Sequence, residues 1–176
     1  MQKIFIGMLL VFLNFNINVG ASKIGLIPDF LGYFYMLKGA CELWSFSHRF
    51  SEITPYITGM TGFSALCYVV DLFGISAYTN LPITLFLGLI STFLSLFISY
   101  KIIMGIKEIE LNNGEDLNSG QLYSTWQISA VCSLLSFALF FSAMLVAIGA
   151  IVAFIAKICY LYLFHKTKNL FYERIF

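Results

Sequence analysis

The sequence contains 176 residues, of which 60% are hydrophobic and 11% are charged, with a formal net charge of +1. Soluble domains carry about 25% charged residues, so this composition nearly excludes a soluble enzyme. The small net charge excludes a nucleic-acid binder, which needs basic residues to neutralise phosphates, and the 18% aromatic content excludes a disordered chain. We therefore predict an integral membrane protein with a single domain over residues 1–176 and the lipid bilayer as its first partner.

Charge-free stretches mark most of the candidate membrane spans, because a spanning helix needs about 20 mostly apolar residues. The last of these stretches, at 117–156, would be about 60 Å long as one helix. That length is twice the hydrocarbon thickness of about 30 Å, so we interpret the stretch as two helices that turn near 142–147. The other charge-free stretches cover residues 4–22, 53–70 and 72–100.

A weaker span begins at Pro28. Proline suits the first turn of a helix, and the carboxylate of Asp29 complements the positive end of the helix dipole. Including this span, the sequence predicts an all-α bundle of about six transmembrane helices. The predicted helices are 3–19, 28–47, 55–74, 81–104, 125–143 and 147–165, with a cytoplasmic loop at about 105–124. Residues 101–110 could also continue the fourth helix along the interface.

The distribution of basic residues predicts the orientation of this bundle, because cytoplasmic loops carry an excess of lysine and arginine. If the N-terminus is inside, the outer segments hold only Lys23. We therefore predict a multi-pass protein of the cytoplasmic membrane with both termini cytoplasmic. The basic residues of the inner segments are then Lys3, Arg49, Lys101, Lys107, Lys166, Lys168 and Arg174.

Lys38 and Glu42 form the first candidate site, since residues four apart share one helix face. Lys38 would lie about 15 Å into its helix, where a lysine costs about 2.5–3.5 kcal/mol unless it is paired. One interpretation is an ion pair or proton-linked site that faces the bundle interior. The other, which we favour, is a pair near the cytoplasmic interface in which Lys38 extends its ammonium to the headgroups.

Asparagines at the end of the first span form a second candidate site. Asn14 and Asn18 would share one helix face, where amides either join helices by hydrogen bonds or line a polar cavity with Asp29 and Tyr33. We favour helix–helix hydrogen bonding with an early end of the helix. The alternating sequence here also suits an extended segment, although lipid-exposed backbone of that kind is forbidden.

Asp71 is the third candidate, near the outer end of the third span. We favour a simple marker of the membrane interface, and the alternative places it with Asp29 and Lys23 at an outer mouth. Lys157 lies about two turns from the end of the last span, and the sequence assigns it no role. Gly32 and Gly39 on the second helix, and Gly59 and Gly62 on the third, have spacings that allow close helix packing.

No recognised catalytic motif is present, and neither the four scattered cysteines nor the two histidines have a metal-ligand spacing. We therefore predict no enzymatic activity, no cofactor and no metal. The stretch at about 13–43 resembles small multipass bacterial membrane proteins that have a Pro-Asp-Phe-x-Gly-Tyr element. Here the element is Pro28, Asp29, Phe30, Gly32 and Tyr33. The resemblance implies a helix start at Pro28 and carries no activity with it.

Two functions agree with these features. The first is a non-enzymatic component or modulator of a membrane complex, which the small size and the single polar loop favour. The second is a small oligomeric transporter or channel with a polar path lined by Lys38, Glu42, Asn14 and Asn18. The corresponding partners are a second membrane protein or further copies of the chain, and no nucleic acid.

Overall fold

The computed structural model describes residues 1–12, 16–19, 22–25, 28–73, 81–138 and 143–175, and the structural statements below concern these residues. They form six α-helices and one short antiparallel hairpin, so the prediction of a helical fold is confirmed apart from that hairpin. In chain order the elements are α1 (Gln2–Phe12), β1 (Asn16–Val19), β2 (Ser22–Gly25), α2 (Asp29–Glu42), α3 (Arg49–Leu72), α4 (Leu81–Asn113), α5 (Ser119–Ala138) and α6 (Ala143–Arg174).

The six helices form a ring in which each packs against the next along the chain and α6 packs against α1. The best-packed core lies where α1, α3 and α5 begin and where α2, α4 and α6 end. Most charged side chains also lie there, so we call it the charged end and the opposite end the hairpin end. Large core side chains that are fully buried at the charged end are Ile4, Phe50, Ile106, Leu122 and Phe164.

Ion pairs join neighbouring segments at the charged end. Lys3 of α1 pairs with Glu42 of α2. Arg49 Nε lies 2.8 Å from Glu108 Oε2, which joins α3 to α4. Two further pairs are Lys101 with Glu52, at 3.6 Å between Nζ and Oε2, and Arg174 with Glu115, at 3.4 Å between Nη1 and Oε2.

Glycines allow α1 and α2 to approach closely. A Cβ added to Gly7 would lie 2.5 Å from the carbonyl oxygen of Gly32, and one added to Gly39 would lie 2.7 Å from the amide nitrogen of Ile4. The close packing predicted for Gly32 and Gly39 is therefore confirmed. Gly59 and Gly62 differ, because an added Cβ there meets nothing within 4 Å among the described residues.

Two of the described helices are long and apolar enough to cross a membrane: Arg49–Leu72 and Phe86–Asn113. Only 17% and 22% of their most apolar windows are buried inside the protein, so most of this apolar surface faces outward. Water would disfavour such a surface, and hydrocarbon would not. Large exposed side chains on these helices are Leu66, Val69, Phe73, Phe86 and Phe93.

The first two predicted helices are too long. The predicted helix at 3–19 ends at Phe12, and Asn16–Val19 instead pairs with Ser22–Gly25 in the hairpin. The alternating asparagines explain this difference, because a period of two suits a strand rather than a helix. The predicted helix at 28–47 ends at Glu42, and residues 43–46 form turns before α3 begins at Arg49.

The predicted loop at 105–124 is wrong over most of its length. α4 continues to Asn113 because Ile106 and Ile109 extend its buried face. α5 begins at Ser119, where Glu110 Oε2 accepts hydrogen bonds from the backbone N–H groups of Leu117 and Ser119. Residues 143–147, predicted to hold or border the last turn, belong to α6, and residues 139–142 lie outside the described residues.

Candidate functional site: a polar cluster inside the helix ring

A cluster of polar side chains faces the interior of the ring where α2 begins. Asp29 is half-buried, and its Oδ1 atom has no contact with solvent. One turn further along α2, Tyr33 is 3% exposed and hydrogen-bonds to the side chain of Ser95 on α4. Tyr33 lies nine residues before Glu42, which places it about 14 Å from the charged end along the helix axis.

Lys157 of α6 points into the same region. Its Nζ atom lies 5.7 Å from the centre of the Phe12 ring at the end of α1. The side chain is partly buried, and Asp29 is the charged group that acts on it electrostatically. The carboxylate of Asp29 on α2 therefore acts electrostatically on an ammonium of α6 that lies beside the end of α1.

Tyr160 lies one turn beyond Lys157 on α6. Its ring is 1% exposed and lies 6.0 Å from the ring of Phe12. The Tyr160 hydroxyl is buried and has no hydrogen-bond partner among the described residues. A buried hydroxyl without a partner costs about 1–3 kcal/mol, so this group is available to a polar ligand or a bound water.

Two residues of α3 interact with the start of α2. The carboxylates of Asp71 and Asp29 both act electrostatically on the Cys67 thiol. Phe30 and Tyr68 form an edge-to-face pair with 5.8 Å between ring centres, which holds the start of α2 against α3. We use the name interior polar site for Asp29, Tyr33, Ser95, Lys157 and Tyr160 below.

This site has the features that mark functional positions in membrane proteins. Ionisable groups inside a bundle are costly unless they are paired, and they commonly mark ion or substrate pathways. α1 and α2 are also short, with 11 and 14 residues. Chemically, the site can bind a cation at Asp29, an anion at Lys157, or a proton.

The structure separates Lys38 from Glu42. Glu42 pairs with Lys3 of α1, and the interpretation that Lys38 is its partner is therefore wrong. Lys38 lies on the exposed face of α2, with Nζ 4.5 Å from the centre of the Phe34 ring. An interior role for Lys38 is excluded by this position, whereas extension of its ammonium towards the headgroups agrees with it.

The structure agrees only in part with the second and third candidate sites. Asn18 lies on β1, where it is the register partner of Lys23 on β2, so it shares no helix face with Asn14. Asn14 itself lies outside the described residues. Asp29 and Tyr33 take part in the interior polar site, and Asp71 acts electrostatically on Cys67 of α3.

Sequence reasoning missed Lys157, Ser95 and Tyr160. One signal was available, because Lys157 is the only charged residue between 117 and 164. However, Lys157 lies about two turns from the end of the predicted span, which favoured a side chain that extends to the membrane interface over one that faces the interior. The contact with Phe12 depends on how α6 closes the ring against α1, which periodicity along α6 does not encode.

Metal binding has no support in the described part of the chain, which contains no group of three or more His, Cys, Asp and Glu side chains placed to hold an ion. All four cysteines there are free thiols. Comparisons with protein-family models, curated proteins and solved structures find no match to this chain.

Proposed function

We propose that this protein is an integral membrane protein that crosses the bilayer six times, with both termini cytoplasmic, and that it transports a small polar solute or an ion. The observation that carries the proposal is the pair of buried tyrosines, Tyr33 and Tyr160, beside which the half-buried Asp29 acts electrostatically on Lys157. The protein acts without enzymatic chemistry. Its polar path runs through the interior polar site rather than along Lys38, Glu42, Asn14 and Asn18.

The membrane placement rests on the outward-facing apolar surface of α3 and α4. The ion pairs at the charged end agree with one interface of the bilayer. α1 and α2 alone are shorter than a membrane span, at about 16 Å and 21 Å, and the hairpin lies beyond them towards the other interface. Extended backbone at that depth is tolerated where it is enclosed by protein or lines a cavity.

The topology is tested by a reporter that is active only in the periplasm, fused after Phe176 in a bacterial host. Six spans predict a silent reporter, and a fusion after Asn80 should be active. The reverse pattern, or activity at both positions, would contradict the proposed orientation.

Transport is tested with purified protein in liposomes on a solid-supported membrane. The probes are concentration jumps of protons, sodium, potassium, ammonium and glycine. We expect a transient current with at least one probe, lost in Asp29→Asn and retained in Lys38→Gln, whose side chain lies on the outer face of α2. Currents that Asp29→Asn leaves unchanged, or no current with any probe, would reject the proposed function.

A second candidate, a component of a membrane complex, is favoured by one different observation. Gly59 and Gly62 lie on an outward face of α3 where an added Cβ meets no described residue within 4 Å. Small residues at this spacing allow another helix to pack closely. Gentle extraction from the native membrane distinguishes the two functions: a stoichiometric second protein supports the complex, and a complex of this chain alone supports transport.

A further inference from the structure

A lateral groove separates α4 from α5 on the outside of the ring. It has a volume of about 160 Å³. Its walls are apolar and rich in aromatic rings, and Phe93 and Leu134 among its lining residues are exposed. The residues that line it are Phe93, Leu96, Phe97, Tyr100, Trp126, Ala130 and Leu134.

Aromatic contacts join α4 to α5 where the groove is nearest the charged end. Trp126 Nε1 donates a hydrogen bond to the carbonyl oxygen of Leu96, with 3.2 Å between the two atoms. The Tyr100 and Trp126 ring centres lie 5.3 Å apart, and Tyr123 stacks on Trp126 at 5.9 Å. Tyrosine and tryptophan prefer the boundary between hydrocarbon and headgroups, so this cluster marks the interface level of the groove.

A basic residue lies in line with the groove. Phe93, Tyr100 and Lys107 are spaced by seven residues, which keeps them on one stripe of α4 with a drift of about 20° per step. Lys107 is exposed and lies about 10 Å beyond Tyr100 towards the charged end. The stripe from Phe93 to Lys107 measures about 21 Å, which exceeds the about 15 Å that is half of the hydrocarbon thickness.

The charge of Lys107 is available, since no ion pair involves it in the described segments. Neighbouring acidic groups are already engaged: Glu108 binds Arg49, and Glu110 accepts hydrogen bonds from the start of α5. The nearby Lys101 differs, because it pairs with Glu52. An anion at the level of Lys107 therefore meets an unneutralised cation.

We propose that the groove between α4 and α5 binds one acyl chain of an anionic phospholipid, with the headgroup phosphate at Lys107. The acyl chain lies along Phe97 and Ala130, and the glycerol region contacts Tyr100 and Trp126. This inference rests on the membrane placement given under the proposed function, and it is independent of transport at the interior polar site.

Photocrosslinking tests the proposal in nanodiscs of phosphatidylcholine. The probe is a phosphatidylglycerol with a diazirine in its acyl chain, compared with a phosphatidylcholine that carries the same acyl chain. We expect the anionic probe to label residues 93–100 and 126–134 about fivefold more than the neutral one, as expected for one lysine near an anionic headgroup. Equal labelling by the two probes, or labelling spread evenly over the outer faces of all helices, would overturn the proposal.

Matched variants separate the acyl chain from the headgroup. Ala130→Trp fills the groove and should abolish its labelling, whereas Ile128→Trp, on the exposed face of α5, should leave it intact. Lys107→Gln should reduce labelling by phosphatidylglycerol to the level of phosphatidylcholine, and Lys38→Gln should not. Groove labelling that survives Ala130→Trp in folded protein contradicts the proposal. If the membrane placement itself is wrong, the chain fails to enter nanodiscs at all, which distinguishes that failure from loss of lipid preference.

Discussion

The ammonium of Lys157 on α6 lies 5.7 Å from the centre of the Phe12 ring at the end of α1. This contact places the ammonium of Lys157 beside α1, and the carboxylate of Asp29 acts on it electrostatically. Attraction between an ammonium and an aromatic face contributes about 0.5–1 kcal/mol in water and about 2 kcal/mol where water is excluded. The contact therefore joins the first and last helices.

Asp29 and Lys157 should be energetically coupled. Asp29→Asn and Lys157→Gln should each lower the free energy of unfolding, and the double variant should lower it by less than the sum of the two, because the second substitution removes an interaction that is already lost. We expect a coupling of about 0.5–3 kcal/mol in a double-mutant cycle, measured by unfolding in mixed micelles. The matched cycle of Asp29 with Lys38 should give no coupling. Additive effects of Asp29 and Lys157 would show that the two side chains do not interact.

Glycine at position 7 should be required for packing of α1 on α2. Gly7→Ala places a Cβ 2.5 Å from a backbone oxygen of α2, and overpacking of this kind costs about 1–3 kcal/mol. Gly62→Ala is the control, because its Cβ meets no described residue within 4 Å and alanine favours a helix over glycine by up to about 1 kcal/mol. The midpoint temperature of thermal unfolding should fall for Gly7→Ala and stay level or rise for Gly62→Ala. Equal effects would contradict the close crossing.

The pair between Lys3 and Glu42 should contribute little stability. Both side chains are almost half exposed, at 43% and 49%, and exposed pairs contribute about 0–1 kcal/mol. A double-mutant cycle should give a small coupling that decreases with added salt. The same cycle with Lys38 in place of Lys3 should give none, and a larger coupling there would restore the pairing that the sequence suggests.

Glu110 should stabilise the start of α5. Its carboxylate accepts hydrogen bonds from the backbone N–H groups of Leu117 and Ser119, at 3.2 Å and 3.0 Å. Loss of a comparable cap costs about 0.5–2 kcal/mol, so Glu110→Ala should lower the unfolding midpoint. Glu173→Ala is the control on an exposed position of α6. Faster amide hydrogen exchange at residues 117–122 should accompany the loss, and unchanged exchange would show that the cap is not formed in solution.

Apolar composition predicted the helical class, and spacing predicted the packing role of Gly32 and Gly39. These features depend on local patterns, so a single sequence contains them. Helix ends were predicted less well. The predicted fourth helix ended at residue 104, but the buried face of Ile106 and Ile109 continues α4 past that point. A stretch rich in charged residues can therefore remain helical when one of its faces is apolar and packs in the core.

The interior polar site was only half predicted. Asp29 and Tyr33 were named because they share one helix start, whereas Lys157 is more than a hundred residues away in sequence. Its contact with Phe12 depends on ring closure between α6 and α1. The pairing of Glu42 was wrong for the same reason, since spacing along α2 indicates Lys38 but the crossing with α1 brings Lys3 closer.

The most direct test of this account is the accessibility of position 157 in the membrane. Lys157→Cys is made in a chain whose four native cysteines are replaced, and a membrane-impermeant thiol reagent is applied to oriented vesicles from each side. A transport path through the interior polar site predicts labelling of position 157 from at least one side, while the outward-facing control Tyr162→Cys, 71% exposed on the same helix, stays unlabelled in lipid. If Lys157→Cys resists the reagent from both sides as Tyr162→Cys does, the site is not reached by water and the account is contradicted.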